Sequence, residues 1–216
     1  MKSKQYLVFG LGRFGTSVAR TLCKLGQEVM AVDALEEPVN DIAPDVTQAA
    51  QMDATDENAL KSLGVTNFDA AIVSIGQNTR DSILVCVLLK ELGIPYLIAK
   101  ANDDLHAKVL EKIGVDRVVF PEREMGARLA RSILTPSVLE LMDLSEDYQI
   151  MEALLPKGWE GQTLRGLNVR KRFGINVLAV RRGESFIVSP GPDEPFAPGD
   201  TLLAMGKKGE IRELEG

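Results

Sequence analysis

Histidine occurs once in this chain, at His106, and cysteine twice, at Cys23 and Cys86. No Cys/His cluster has metal-ligand spacing, which argues against zinc chemistry, and a lone histidine argues against a Ser-His-Asp triad. His106 falls in "DDLHAKVLEKIG", a predicted surface helix, and reads as a solvated side chain. Both cysteines sit in apolar helical patterns and read as small buried hydrophobes, with no disulfide expected in a reducing compartment. No uninterrupted apolar run approaches the roughly 20 residues that a spanning helix requires, so no direct membrane insertion is expected. Basic residues are not in excess: 25 Lys and Arg stand against 31 Asp and Glu, a formal net charge of −6. Phosphate-dominated affinity needs a basic face, so a nucleic-acid partner is not expected. The opening "MKSKQYLVFG" enters a strand without a signal-peptide pattern, and a cytoplasmic protein is expected. No repeat with a period of roughly 20–50 residues is visible, which excludes a tandem array.

What the chain does contain is a regular beat. Hydrophobic residues make up 45% and charged residues 26%, the balance of a soluble globular protein, and 216 residues suit one ordinary domain plus a smaller one. "YLVFG", "EVMAVD", "VTQAAQ", "DAAIVSIG", "PYLIAKA" and "DRVVF" read as strands, separated by segments with helical periodicity or a glycine stop. This alternation predicts an α/β fold: a Rossmann-like, doubly wound parallel sheet of six strands in the order 3-2-1-4-5-6. Ligand should lie across the C-terminal ends of strands 1 and 4. "EREMGARLARSILTPSVLELMDL" reads as a long helical segment interrupted at Thr135-Pro136, either a buried last helix or one that crosses to a second subunit. From about Tyr148 the pattern becomes strand-like with glycine and proline punctuation. The expected boundaries are a nucleotide-binding domain over 1–134, a crossover helix over 135–146 and a small α+β subdomain over 147–216. At roughly 65 residues the last module has little core of its own and should pair with a copy of itself.

The candidate site begins in "YLVFGLGRFG". Gly10 permits a tight turn, Gly12 lets phosphate approach the backbone, and Gly15 lets the following helix pack on the strand. That helix aims free N–H groups and a positive dipole end at the phosphates. Asp33 ends "EVMAVD", about 20 residues on, where a carboxylate accepts the ribose hydroxyls. Asp53 either accepts from an adenine amine or caps the helix at "DENALKSLG". Ser74, Gly76 and Asn78, in "SIGQN", either face the ligand or simply form the turn. Lys100 follows the fifth strand, facing phosphate or solvent. Phe14, Ala54 and Ile75 neighbour these positions and complete the set. Arg13 is unusual in a dehydrogenase turn and suits a polyphosphate tail, where bidentate contact and charge both help. Glu122 begins the long helix, where it either favours the dipole or, near phosphates, needs a bridging cation. The glycines and Asp33 fit a small NAD(P)-dependent oxidoreductase equally well, so NAD(H) stands as the alternative ligand.

Together, "GLGRFG", "EVMAVD", "DATDEN", "LLKELGIP", "HAKVLEKIGVDRVVFPEREMG" and "VLELMDLSEDY" resemble the RCK (or KTN) family, cytoplasmic regulatory subunits of bacterial Ktr-type potassium uptake systems related to TrkA. The resemblance covers essentially the whole chain. It implies a non-catalytic subunit assembled as a homo-octamer of dimers, docked at the inner face of the cell membrane beneath a membrane-embedded transporter subunit. ATP and ADP would favour different ring shapes. By position, Arg13 matches a phosphate-contacting arginine and Asp33 the ribose carboxylate. Glu122 matches a glutamate that helps hold a metal cation (Mg²⁺, Ca²⁺ or Na⁺) at the phosphates. "NVRKRFGINVLAVRRG" resembles a segment that binds cyclic di-AMP, with Arg170 on phosphate and Asn176 on an adenine edge. Read without the resemblance, that stretch is a basic surface followed by a strand.

Overall fold

In the first strand, Leu7 and Phe9 bury into one hydrophobic cluster and Val8 into another. The same alternation recurs in the neighbours: Ala71 and Val73 face the first cluster and Ile72 the second. A strand whose successive side chains point to opposite faces can bury both only if both faces are covered. That requirement sets the architecture of the amino-terminal unit.

The structure is a computed structural model that describes residues 3–76, 78–135 and 137–210. It divides into two units, Met1–Glu124 and Met125–Gly216. Along the first run β1 (Gln5–Phe9), α1 (Arg13–Lys24), β2 (Glu28–Asp33), α2 (Glu36–Ile42), β3 (Gln48–Gln51), α3 (Glu57–Leu63) and β4 (Ala70–Val73). Then come α4 (Thr79–Glu91), β5 (Leu97–Lys100), α5 (Asp104–Ile113), β6 (Arg117–Val119) and the start of α6 (Pro121–Leu134). The strands form a six-stranded sheet in the order β3-β2-β1-β4-β5-β6, parallel throughout. Strand order reverses between β1 and β4, which opens a crevice at their C-terminal ends. Ala19 of α1 with Val39 and Ile42 of α2 covers one face; Val85, Cys86 and Leu89 of α4 with Leu110 of α5 covers the other. Asp56, Asn78 and Asp103 cap α3, α4 and α5 through side-chain oxygens.

His106 is not a solvated side chain. It is 2% exposed, and its Nδ1 accepts the Asn102 N–H at 3.3 Å. Among the described residues its Nε2 has no hydrogen-bond partner. Burial lowers its pKa, with the Asp103 charge pulling the other way. The signal lay in the helical period: His106 stands four residues before the buried Leu110, on the same stripe. Cys86 is buried, which pushes its thiol up to about 12, while Cys23 is half-buried; both are free thiols.

The second unit takes up most of α6 and continues with β7 (Val138–Asp143), β8 (Tyr148–Leu154), α7 (Leu164–Leu167), α8 (Val169–Phe173), β9 (Asn176–Arg182), β10 (Ser185–Val188) and β11 (Thr201–Lys207). These strands form an antiparallel sheet in the order β10-β9-β11-β8-β7. The expected crossover helix over 135–146 is therefore corrected: its centre is a strand paired with β8. Leu, Glu and Met favour a helix locally, but Val138 and Leu141 find their apolar surroundings only when laid beside β8. Pro136, on which the expected interruption rests, lies outside the described residues. The buried-helix reading also fails, because Met125, Leu129, Ile133 and Leu134 of α6 are all exposed. The core of this unit gathers on Trp159, whose ring lies 5.3 Å from Phe173 and 5.9 Å from Phe196. Asp200, 0% exposed at its side chain, accepts two bonds of 2.9 Å from Arg182 and one of 2.8 Å from the Ala197 N–H.

Candidate nucleotide-binding site

Gly10 sits in the left-handed region, with φ at +87°, so the chain turns sharply off β1. A Cβ on Gly15 would lie 2.0 Å from the Gly10 carbonyl oxygen and 2.3 Å from Ser74 Oγ, so only glycine lets α1 approach the turn. Gly12 is the N-cap of α1 and has no side-chain cap; a Cβ there would meet nothing within 4 Å. The helix thus presents bare first-turn N–H groups to open space, the arrangement that receives an anion.

A cavity of about 520 Å³ opens at this point, where the strand order reverses. Gly10, Gly12, Arg13, Phe14, Asp33, Asp53, Ala54, Ser74, Ile75, Gly76, Lys100 and Glu122 all line it. Of the residues expected in this unit, Gly15 and Asn78 are not in its wall. Gly15 acts from behind, through packing. Asn78 is committed to α4: its Oδ1 accepts from the Arg80 and Asp81 N–H groups and its Nδ2 donates to Asp81 at 2.6 Å. Ser74 lines the cavity, but its hydroxyl donates to the Gly10 carbonyl at 2.5 Å and so holds the turn shut. Both side chains thus serve the loop itself, one closing the turn and the other capping α4.

Asp33 accepts the Leu11 N–H at 2.6 Å on one oxygen and the Leu35 N–H at 2.9 Å on the other. These bonds orient the carboxylate across the turn and leave lone pairs on both oxygens for a ribose diol. Asp53 accepts from both the N–H and hydroxyl of Thr55, and these bonds lower its pKa; the helix cap is Asp56 instead. The Arg13 guanidinium is exposed and makes no hydrogen bond or ion pair with any described residue. Lys100, by contrast, is 13% exposed and pairs with Glu122 at 2.5 Å. Lys100 is the main cause of a lowered Glu122 pKa, and the Arg13 charge adds to it. Sequence reasoning missed Asn102, whose Nδ2 donates to the Gly76 carbonyl at 2.8 Å and fastens the loop after β4. It also missed Leu11, Leu35 and Asp81 in the wall. Leu11 lies inside the glycine motif itself, whereas Leu35 and Asp81 owe their place to the fold.

The donor set suits a nucleotide: an open glycine turn, a cation without a partner among the described residues and the Asp33 carboxylate share one cavity. The expected cation would share Glu122 with the nucleotide phosphates rather than sit in a cage of protein ligands. Among the described residues no group of three or more His, Cys, Asp or Glu could hold a metal ion, and Glu122 already has an ammonium partner.

The second unit holds a cavity of about 500 Å³ lined by Arg170 and Asn176, with Leu164, Arg165, Asn168 and Pro192 around them. Arg170 donates through Nε and Nη2 to Asn176 Oδ1, at 3.2 and 2.8 Å. The two residues expected to share a ligand are thus brought into direct contact.

Comparison with known proteins agrees with this geometry. Residues 6–121 match the TrkA-N domain and residues 150–215 the TrkA-C domain. The chain is 43% identical over 215 residues to Ktr system potassium uptake protein A of Bacillus subtilis, covering 100% of this chain and 97% of that protein. It is also 43% identical over 212 residues to Ktr system potassium uptake protein C of the same organism, covering 98% and 96%. Among solved structures the GsuK channel shares the fold at a TM-score of 0.70 and 18% identity, over 100% of this chain and 40% of that one. The chain belongs to the RCK (KTN) family, as a Ktr-type regulatory subunit of potassium uptake built from TrkA-N and TrkA-C domains.

Proposed function

We propose that this chain is a non-catalytic, cytoplasmic nucleotide sensor that gates a membrane-embedded potassium transporter subunit, with ATP and ADP as its opposing signals. The observation that carries the reading is the Arg13 guanidinium, without a partner among the described residues, beside the bare N-terminus of α1 and in the wall of the same cavity as Asp33. Asp33 and the glycine turn read the adenosine half, and Arg13 reads the phosphate tail. Affinity alone does not switch anything: ATP must bind the activating state more tightly than the inactive one, and its γ-phosphate is the group that ADP lacks.

The exposed apolar side chains of α6 support a homo-oligomer. Met125, Leu129 and Ile133 recur every four residues, so one face of the helix is left for a second copy, as a dimer-built octamer docked at the inner membrane face requires. Among the described residues no helix is long and apolar enough to cross a membrane, so docking would run through the transporter subunit. Cyclic di-AMP is proposed as a second, inhibitory ligand at Arg170 and Asn176: a phosphate would take the guanidinium and an adenine edge the freed amide.

Native mass spectrometry of the full chain with ATP, ADP, NADH and cyclic di-AMP tests the assembly and its ligands together. An octamer retaining adenosine phosphates and cyclic di-AMP is expected. A dimer that retains NADH alone would turn the reading to a redox sensor or a small oxidoreductase.

A further inference from the structure

Two buried side-chain polar atoms lack a hydrogen-bond partner among the described residues, Ser82 Oγ and His106 Nε2. They stand near the starts of α4 and α5, and Asn102, between β5 and α5, ties those two starts together. Its backbone N–H donates to His106 Nδ1 at 3.3 Å, while its Nδ2 donates to the Gly76 carbonyl at 2.8 Å and lies 3.4 Å from Thr79 Oγ1. An acceptor at Nδ1 requires a neutral ring with its proton on Nε2. In part the contact is a reciprocal helix cap: Asp103 Oδ1 accepts the His106 N–H at 2.8 Å while His106 reaches back before the helix. Such a cap needs only an acceptor, which a glutamate or glutamine supplies from solvent. Here it comes from a ring 2% exposed, whose second nitrogen carries an N–H without a partner. An orphaned buried donor is destabilising, so the cap alone does not account for the imidazole.

We propose that His106 is a positioning residue of the nucleotide site: its Nδ1 fixes the Asn102 backbone, and Asn102 holds the Gly76 carbonyl and with it the loop after β4 in the cavity wall. The proposal rests on the nucleotide reading of this cavity, although His106 itself lies outside the wall. The buried ring, on the stripe it shares with Leu110, is the fixed end of the connection. Asn102 is exposed, and its side chain has a defined place only because its backbone is held. Gly76 has no side chain with which to anchor itself: a Cβ there would meet nothing closer than Lys100 Nζ at 3.7 Å and Asn102 Oδ1 at 4.0 Å. The position of this loop therefore depends on what grips its carbonyl. Burial lowers the His106 pKa against the pull of the Asp103 charge, which keeps the ring an acceptor.

The test uses the full, untagged chain and two variants that pull stability and affinity apart. His106→Leu removes the acceptor together with the orphaned N–H, so it should melt close to the wild type yet weaken ATP and ADP by about 3- to 10-fold in a calorimetric titration. His106→Asn keeps an acceptor at the Nδ1 position but leaves part of the ring's volume empty. It should melt lower and bind both nucleotides within about twofold of the wild type. Asn102→Ala should reproduce the affinity loss, and joined to His106→Leu it should weaken binding no further than the larger single effect, because both act through one chain of contacts. Isotopic labelling of histidine nitrogens reports on this ring alone, since the chain has one histidine, and should show the neutral form protonated at Nε2. Affinity that follows melting temperature in both His106 variants, additive losses, or a proton on Nδ1 would each overturn the proposal. A wild-type chain that binds none of ATP, ADP and NADH would instead remove the nucleotide reading, and this proposal with it.

Discussion

The two units use arginine in opposite ways. In the first, Arg13 stands exposed at the wall of a cavity without a partner among the described residues, next to a helix N-terminus that has no side-chain cap. In the second, Arg182 is fixed by both oxygens of the buried Asp200, which in turn receives the Ala197 N–H. Arg170 lies between these cases, held by the neutral Asn176, which a phosphate can outbid. A guanidinium matched by a buried carboxylate is part of the scaffold. One left unmatched beside free N–H groups is poised for an anion from outside.

Three substitutions would break or sharpen that contrast. The largest effect is expected from Gly15→Ala, whose new methyl would collide with backbone at 2.0 Å. Displacing α1 from the turn should cost about 1–3 kcal/mol of stability and abolish adenine-nucleotide binding, read by thermal melting and titration calorimetry. Asp200→Ala should cost a similar or smaller amount, about 1–3 kcal/mol, because it leaves the Ala197 N–H without its partner and empties a buried site, while Arg182 keeps Glu194 and the Pro195 carbonyl; nucleotide affinity should not change. The Asp200 carboxyl is held below its ordinary value, chiefly by Arg182. Its contribution is therefore complete above the unfolded carboxyl range and disappears as pH falls through the lowered folded value. Stability measured against pH should lose that acid-side slope in the variant. Arg13→Ala should give the smallest change in stability, within about 0.5 kcal/mol, while weakening ATP by roughly tenfold and ADP by less. Equal losses for the two nucleotides would remove Arg13 as the reader of phosphate number.

Much of the first unit was legible because its signals are local. A parallel strand buried on both faces is a continuous apolar run, so "YLVFG" and "DAAIVSIG" announce themselves. The glycine turn is largely local: φ at Gly10 and the approach of Gly15 to the Gly10 carbonyl depend on a few consecutive residues, and Ser74 of the loop after β4 adds to the crowding at both. The site was legible in membership but less so in role. Ser74 and Asn78 are in the right loop, yet one closes the turn and the other caps α4. Nothing in "SIGQN" distinguishes a side chain that reads a ligand from one that holds the loop, because both tasks use short polar groups with the same hydrogen-bonding capacity.

By itself the sequence determined the six strands, their order, the nucleotide turn and the acid at the end of β2. Period, glycine placement and residue type act over one or two turns of chain, and distant partners do not alter them. Only the tertiary structure decided that "VLELMD" is a strand, that His106 is buried and that Lys100 is held by Glu122. Each depends on groups far apart in sequence. β8 supplies hydrogen-bond partners that outweigh a local helical preference, and packing against the sheet buries one side of α5. The ends of β5 and α6 bring an ammonium and a carboxylate 22 residues apart to 2.5 Å. Motif and period name the groups at a site, and the fold decides which of their charges are still free to act.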